Sequence, residues 1–306
     1  MIIKKFKNFI YSRSIKKEII IDSNNLSEYR FAFFGELGYG LICYFPFLYY
    51  ISKQEGLKFK TIGLKGSLPF FEDFSCDHIE LDVQQGDSWG SRDLFWNIKV
   101  HKSCSERLIF PDDNTNLKLF NSNWLQTKLS TNFAENKLFL PLIFEKIQVN
   151  NEFKNYIIIN IKSYYNWGNK NIENFYNKQD IKNITKLFPN HLIILNTPKL
   201  PIEPHNISTE SIVNFCLGAN VISSDKYYQE CNNLHEINIK QISLLKGADV
   251  IFSTQGGNTP LSMYCNDDVR IIMRGGFDYP DYFSIAKQRK IDFKIGYSVD
   301  QLFNTK

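Results

Sequence analysis

The chain has 306 residues, with 36 Lys and Arg against 32 Asp and Glu, and 43% of it is hydrophobic, including 26 Phe and 16 Tyr. That length suits one large domain or two ordinary ones, and the composition is globular rather than disordered. No apolar run approaches the ~18 residues of a membrane span. The six cysteines (43, 76, 104, 216, 231, 265) and five histidines show no CxxC, HExxH or zinc-ligand spacing, so reduced thiols in a cytoplasmic protein are expected.

Residues 1–22 form a basic amphipathic segment. Its first 18 residues hold Lys4, Lys5, Lys7, Arg13, Lys16 and Lys17 against Glu18 alone, more positive charge than the +4 of the whole chain. It lacks the uninterrupted apolar core and small-residue cleavage site of a signal peptide. Two readings stay open: a solvated leader, or a surface helix that sets Ile2, Ile3, Phe6, Phe9 and Ile10 against anionic lipid, making the protein peripheral on the inner face of the membrane. Because the basic character stops there, nucleic acid is not an expected partner.

In chain order, RFAFF (30–34) reads as a strand that stops at GELGYG (35–40). A helix follows through LICYFPFLYYISKQ, with Pro46 as a kink. KFKTIGL and HIELDV read as further strands, and residues 86 to 130 carry no clear pattern. A polar stretch near 146–155 divides an N-terminal domain (23–150) from a C-terminal one (151–306). The second half alternates cleanly: strand YIIINIK, helix KQDIKNITKLFP, strands HLIILNTP and ANVISSD, helix EINIKQISLLKGAD, strand VIFST, helix TPLSMYC, strand VRIIMRGG. The expected fold is α/β, two Rossmann-like doubly wound domains facing across a cleft. Ligands then meet the residues just past the strands: Gly35–Gly40, Lys162–Trp167, Asn196–Lys199, Ser253–Thr259 and Arg274–Gly276.

The stretch IFSTQGGNTPLSMYC (251–265) sets Gly256 and Gly257 between a strand and a helix start. It is either a plain turn or a cradle in which bare backbone approaches a diphosphate at a helix N-terminus. In the second case Ser253, Thr254, Gln255 and Asn258 supply donors, and Thr259 caps the helix ahead of Pro260. Lys162 and Arg274, each just past a strand, are candidate cations. Glu36, in the turn after the first strand, is the candidate general base, with Asp87 and Asp93 behind it; its plain reading is a helix-start acid. Trp89 and Trp167 are either sugar platforms or packing aromatics. Asp112-Asp113, Asp267-Asp268 and Asp278/Asp281 read as loop acids rather than a metal pair. Cys265 reads as a buried thiol. GxGxxG is absent, which disfavours an NAD enzyme.

The order SLLKGADV–FSTQGGNTPLSMYC, together with FFGELGYGLICYFPFLYYI and INIKSYYNWGNKNIENFY, resembles the B-type (GT-B) glycosyltransferases, notably those of bacterial and viral surface polysaccharides. The likeness runs over about 30–55 and 155–290; Gly40 departs from it, standing where a larger, often acidic residue is expected. It implies transfer of a hexosyl or related sugar from a nucleotide-sugar to a glycan or lipid-linked acceptor; because no acid pair follows a strand as metal ligands would, the expected site needs no metal or other cofactor. The donor would be held by Lys162, Ser253, Thr254, Gln255, Gly256, Gly257, Asn258, Thr259 and Arg274. Glu36 would be catalytic, and Gly35, Gly38 and Tyr39 would form the acceptor-side loop. The alternative is a non-catalytic scaffold of the same fold.

Overall fold

The computed structural model describes residues 17–35, 37–83, 103–109, 115–120, 127–128, 140–161, 176–196, 216, 220–274 and 279–304. The chain divides into two compact units, Met1–Leu140 and Pro141–Lys306.

The first unit carries strands β1 (Lys17–Asp22), β2 (Tyr29–Phe33), β3 (Phe59–Leu64), β4 (Ser75–Leu81), β5 (Arg107–Ile109), β6 (Thr115–Phe120) and β7 (Thr127–Lys128). Its main sheet is parallel, in the order β4-β3-β2-β5, and a smaller one runs β1-β6-β7. The end of the basic N-terminal segment is thus a strand: Lys17–Asp22 pairs in parallel with Thr115–Phe120. After β2 the chain makes a helical turn at Leu37–Tyr39, passes through a π-helical stretch at Gly40–Tyr44, and enters α1 (Phe45–Glu55). Pro46 explains the π stretch. Proline has no N–H and its ring collides with the carbonyl four residues back, so an α register cannot run through it. The Phe45 N–H instead reaches back five residues to the Gly40 carbonyl, and Pro46 starts a fresh α-helix. Gly40 must be bare there: a Cβ would lie 2.7 Å from the Phe45 ring and 2.9 Å from Phe33. A short helix α2 (Leu68–Phe71) follows β3, and the core is aromatic, with Phe71 4.7 Å from Phe45 and 5.7 Å from Phe74 between ring centres.

In the second unit, strands β8 (Tyr156–Asn160), β9 (Leu192–Asn196), β10 (Val221–Ser223), β11 (Val250–Thr254), β12 (Asp268–Ile272) and β13 (Asp292–Gly296) alternate with α3 (Lys178–Leu187), α4 (Asp225–Gln229), α5 (Leu234–Gly247), α6 (Asn258–Cys265), α7 (Tyr279–Arg289) and α8 (Val299–Asn304). All pairs are parallel, in the order β10-β9-β8-β11-β12-β13. β8 and β11 are buried along their whole length, which is why they read as unbroken apolar runs. Ile157, Ile159, Ile193, Leu195 and Phe252 pack one face against Ile181 and Ile184 of α3. That helix begins with a capping box between Asn177 and Asp180. Residues 143–150 are tied to this unit: the Lys246 ammonium donates to the carbonyls of Phe144 (3.0 Å) and Ile147 (2.8 Å), and the Asn150 N–H to Ser243 (3.1 Å). Among the described residues no helix is long and apolar enough to cross a membrane.

Candidate functional site

Numbered along the chain, the six-stranded sheet of the second unit runs 3-2-1-4-5-6. The direction of winding reverses between β8 and β11, so the crevice for a ligand opens beyond their carboxyl ends. The Gly-Gly turn sits there, between β11 and α6. Gly256 adopts φ 144°, in the region that favours glycine, and its N–H donates to the Tyr282 hydroxyl at 3.2 Å. Gly257 has ordinary helical angles (φ −59°, ψ −26°) and stands at the N-cap without a side-chain cap bond.

Thr259 does not cap the helix. It lies inside the first turn, fully buried. Its hydroxyl donates to the Thr254 carbonyl and lies 2.7 Å from the Ser253 hydroxyl, while its N–H donates to Gly256 O at 3.1 Å. Ser253 and Thr254 are buried as well, whereas Gln255, Gly256, Gly257 and Asn258 are half-buried. The seven residues from Ser253 to Thr259 therefore form one site with two roles. The middle four offer surface, and the hydroxyls at either side hold the turn from beneath.

Two asparagines are central to that support. Asn160 ends β8 and Asn196 ends β9; they are register partners and are 3% and 0% exposed. The Asn196 amide donates to Asn160 Oδ1 at 2.7 Å. The Asn160 amide donates to Ser262 Oγ (2.9 Å) and Ser253 Oγ (3.3 Å). Asn196 Oδ1 accepts from Tyr228 (2.8 Å) and Ser224 (3.3 Å), and Ser262 donates on to the Asn258 carbonyl at 2.7 Å. From the other face, the Tyr176 hydroxyl donates to Ser253 O at 2.9 Å, and burial pushes its ionisation well up, so it stays a donor. Asn196, expected among the residues that meet a ligand, is instead buried beneath the turn, and none of Asn160, Ser262, Tyr228 or Tyr176 stands out from composition. The available signal is that two apolar strands, YIIIN and LIILN, each close on Asn.

Among the described residues, Arg274 and the acids at 267 and 268 are engaged. Arg274 holds Asp180 with both carboxylate oxygens (3.0 and 2.9 Å) and donates to the Tyr297 carbonyl at 3.0 Å, joining the end of β12 to the start of α3. Asp267 pairs with Arg289 at 2.6 Å and Asp268 with Arg270 at 2.8 Å; Asp281 lies in the first turn of α7. Cys265 keeps some exposure, but desolvation of its thiol pushes it up to about 12. Among the described residues no three His, Cys, Asp or Glu side chains converge as metal ligands. In the first unit Gly35 and Gly38 are buried beyond β2 while Tyr39 is 36% exposed. Glu36, Lys162, Asp87, Trp89, Asp93, Asp112, Asp113, Trp167 and Asp278 lie outside the described residues, as do residues 1–16.

No protein-family model matches the chain, and no curated protein matches it. Solved structures do. The E. coli heptosyltransferase WaaC with ADP is similar over 90% of this chain and 95% of that one, with a TM-score of 0.53 and 12% identity. A glycosyl transferase family 9 protein from Veillonella parvula is similar over 92% of this chain and 88% of that one, with a TM-score of 0.54 and 8% identity. The fold is of the GT-B type. At these identities the likeness is one of fold; what this chain does is argued from its own residues.

Proposed function

We propose that the chain is a glycosyltransferase that moves a sugar from a nucleotide-sugar to a glycan or lipid-linked acceptor of a surface polysaccharide. One observation carries the reading: the Gly-Gly turn and the N-terminus of α6 occupy the strand-order reversal of a 3-2-1-4-5-6 sheet, where a diphosphate finds backbone donors and a helix dipole. The fold is similar over nine-tenths of this chain to two glycosyltransferases, one of them holding ADP, which supports a nucleoside diphosphate as the leaving group.

In this reading Gln255, Gly256, Gly257 and Asn258 receive the diphosphate, and Ser253, Thr254 and Thr259 hold the turn that presents them. Lys162, two residues past the end of β8 in the sequence, adds positive charge, and Arg274 braces the neighbouring strand end through Asp180. Gly35, Gly38 and Tyr39 form the acceptor-side loop. Glu36 takes the proton of the acceptor hydroxyl as that oxygen bonds to the anomeric carbon and the nucleoside diphosphate departs. No metal is required, and residues 1–18 bring the enzyme to anionic membrane.

A thermal-shift screen against ADP, UDP, GDP, CDP and dTDP, with and without EDTA, tests this. A ligand at ~100 times its Kd adds about 2.7 kcal/mol to the stability of the state that binds it. One nucleotide should raise the melting temperature, unaffected by EDTA, and the shift should vanish in Gly257→Val. Silence towards every nucleotide would overturn the proposal. Glu36→Gln should then abolish turnover and leave nucleotide affinity intact.

A further inference from the structure

The hydroxyls beneath the turn have one proton each, and that fixes the direction of every bond in the cluster. Thr259 gives its proton to the Thr254 carbonyl. Ser253, 2.7 Å away, must therefore donate to Thr259, and needs a donor of its own. Ser262 gives its proton to the Asn258 carbonyl, and also needs a donor. The Asn160 amide nitrogen supplies both, at 3.3 and 2.9 Å. Its orientation is set from behind, because Asn160 Oδ1 accepts from Asn196, whose own oxygen accepts from Tyr228 and Ser224.

Two one-way relays thus leave a single side chain. One runs Asn160 → Ser253 → Thr259 → Thr254 O, the other Asn160 → Ser262 → Asn258 O. They end on the two carbonyls that flank Gln255, Gly256 and Gly257. The Thr254 carbonyl and the Gln255 N–H belong to one planar peptide, so a carbonyl drawn into the core turns that N–H the other way.

We infer that Asn160 is a positioning residue for the donor turn: it touches no ligand, and the donor polarity of its amide aims the backbone of residues 255–258. The inference rests on the transferase reading only for what the turn binds. A packing role needs the volume of Asn160; a positioning role needs its two N–H groups.

Asn160→Asp separates the two, being nearly isosteric but an acceptor when ionised. Ser262 and Ser253 would then have to donate to it: Ser262 leaves the Asn258 carbonyl, and Thr259, no longer receiving a proton from Ser253 at 2.7 Å, turns to donate to Ser253 and leaves the Thr254 carbonyl. The buried carboxyl would titrate above its ordinary range. Protonation at low pH returns one donor and restores one relay.

The experiment measures amide hydrogen exchange of a peptide covering residues 254–262 without nucleotide, and ADP affinity by calorimetry, each as the ratio of variant to wild type at pH 8 and pH 5. At pH 8 the variant should exchange in this segment and release ADP roughly tenfold more readily, the worth of one lost buried hydrogen bond. Both ratios should move back towards unity at pH 5. Ratios of unity at pH 8, or a loss equal at the two pH values, would overturn the inference. Should Asn160→Asp fail to fold, Ser262→Ala cuts one relay at its end. It should give a severalfold change in the same direction with a cooperative melt, and wild-type exchange there would overturn the inference equally. If wild-type protein binds none of the screened nucleotides, the transferase reading falls, and the exchange ratio still judges Asn160.

Discussion

Two adjacent glycines should respond to the same substitution in opposite ways. Gly256 sits at φ 144°, where any side chain is strained, so Gly256→Ala should cost about 1–3 kcal/mol. For a unit the size of residues 141–306 each kcal/mol is worth roughly 2–4 °C, giving a fall of about 2–12 °C in melting temperature. Relief of that strain would also swing the Gly256 N–H away from Tyr282. Gly257 has helical angles open to any residue. There alanine reduces the freedom of the unfolded chain but is a poorer N-cap than glycine, and these opposed effects keep the change within about 1 kcal/mol. On the transferase reading its bareness serves the close approach of a ligand. Urea denaturation followed by nucleotide titration checks both. Gly256→Ala should be less stable, and Gly257→Ala should fold as wild type yet bind nucleotide poorly. Wild-type stability of Gly256→Ala would refute the backbone argument, and wild-type nucleotide affinity of Gly257→Ala would refute the cradle.

Glu106 of the first unit is held down to about 2 by hydrogen bonds from Lys60 (2.8 Å) and Arg30 (3.0 Å), against an ordinary 4.5. Its stabilisation is therefore complete above pH 4.5 and lost as pH falls through about 2. Because it lines an open pocket of about 360 Å3, solvent screening reduces the effect to ~1–2 kcal/mol. Denaturation at a series of pH values should show wild type losing that much more than Glu106→Gln over this window; equal slopes would refute the assignment. The Cys265 thiol, pushed up to about 12, should resist iodoacetamide at pH 8 in the native protein while exposed Cys76 is labelled, as read by mass spectrometry; equal rates would contradict it. Gly40→Ala places a methyl against the rings of Phe45 and Phe33 and should cost about 1–3 kcal/mol in urea, and a neutral outcome would mean that the π stretch yields.

The second unit was largely legible from its sequence because its central strands β8, β9 and β11 are buried almost throughout and read as apolar runs closed by turn residues. VIFST, YIIIN and LIILN stand in the structure where those runs place them. What lay hidden is pairing across distance. Asn160 and Asn196 look like strand ends until the register sets them side by side, and Arg274 looks like an open cation until Asp180, 94 residues away, occupies it. Ser253 and Thr259 are the instructive pair. Hydroxyls flanking two glycines suggest ligand donors, but they sit on the inward side of the turn and bond to one another. In the first unit Pro46 announces a break but not its kind, since the π register depends on Gly40 packing against Phe45. Strand β1 stayed obscure because its partner, Thr115–Phe120, lies in a stretch without a readable period.

These engagements bear on how a leaving diphosphate would be neutralised. Arg274 is committed to Asp180, and the acids at 267 and 268 are committed to Arg289 and Arg270. On the transferase reading, neutralisation then falls mainly to oriented backbone N–H groups and the start of α6, and the proposed charge of Lys162 adds to them. Such donors act through direction more than through net charge, and are strongest when fixed before the charge develops. A turn built from two glycines has little intrinsic rigidity of its own. The fully hydrogen-bonded cluster beneath it, driven from one buried amide, supplies what the glycines lack. The same turn can then be bare enough for a diphosphate to approach and stiff enough to stabilise its departure.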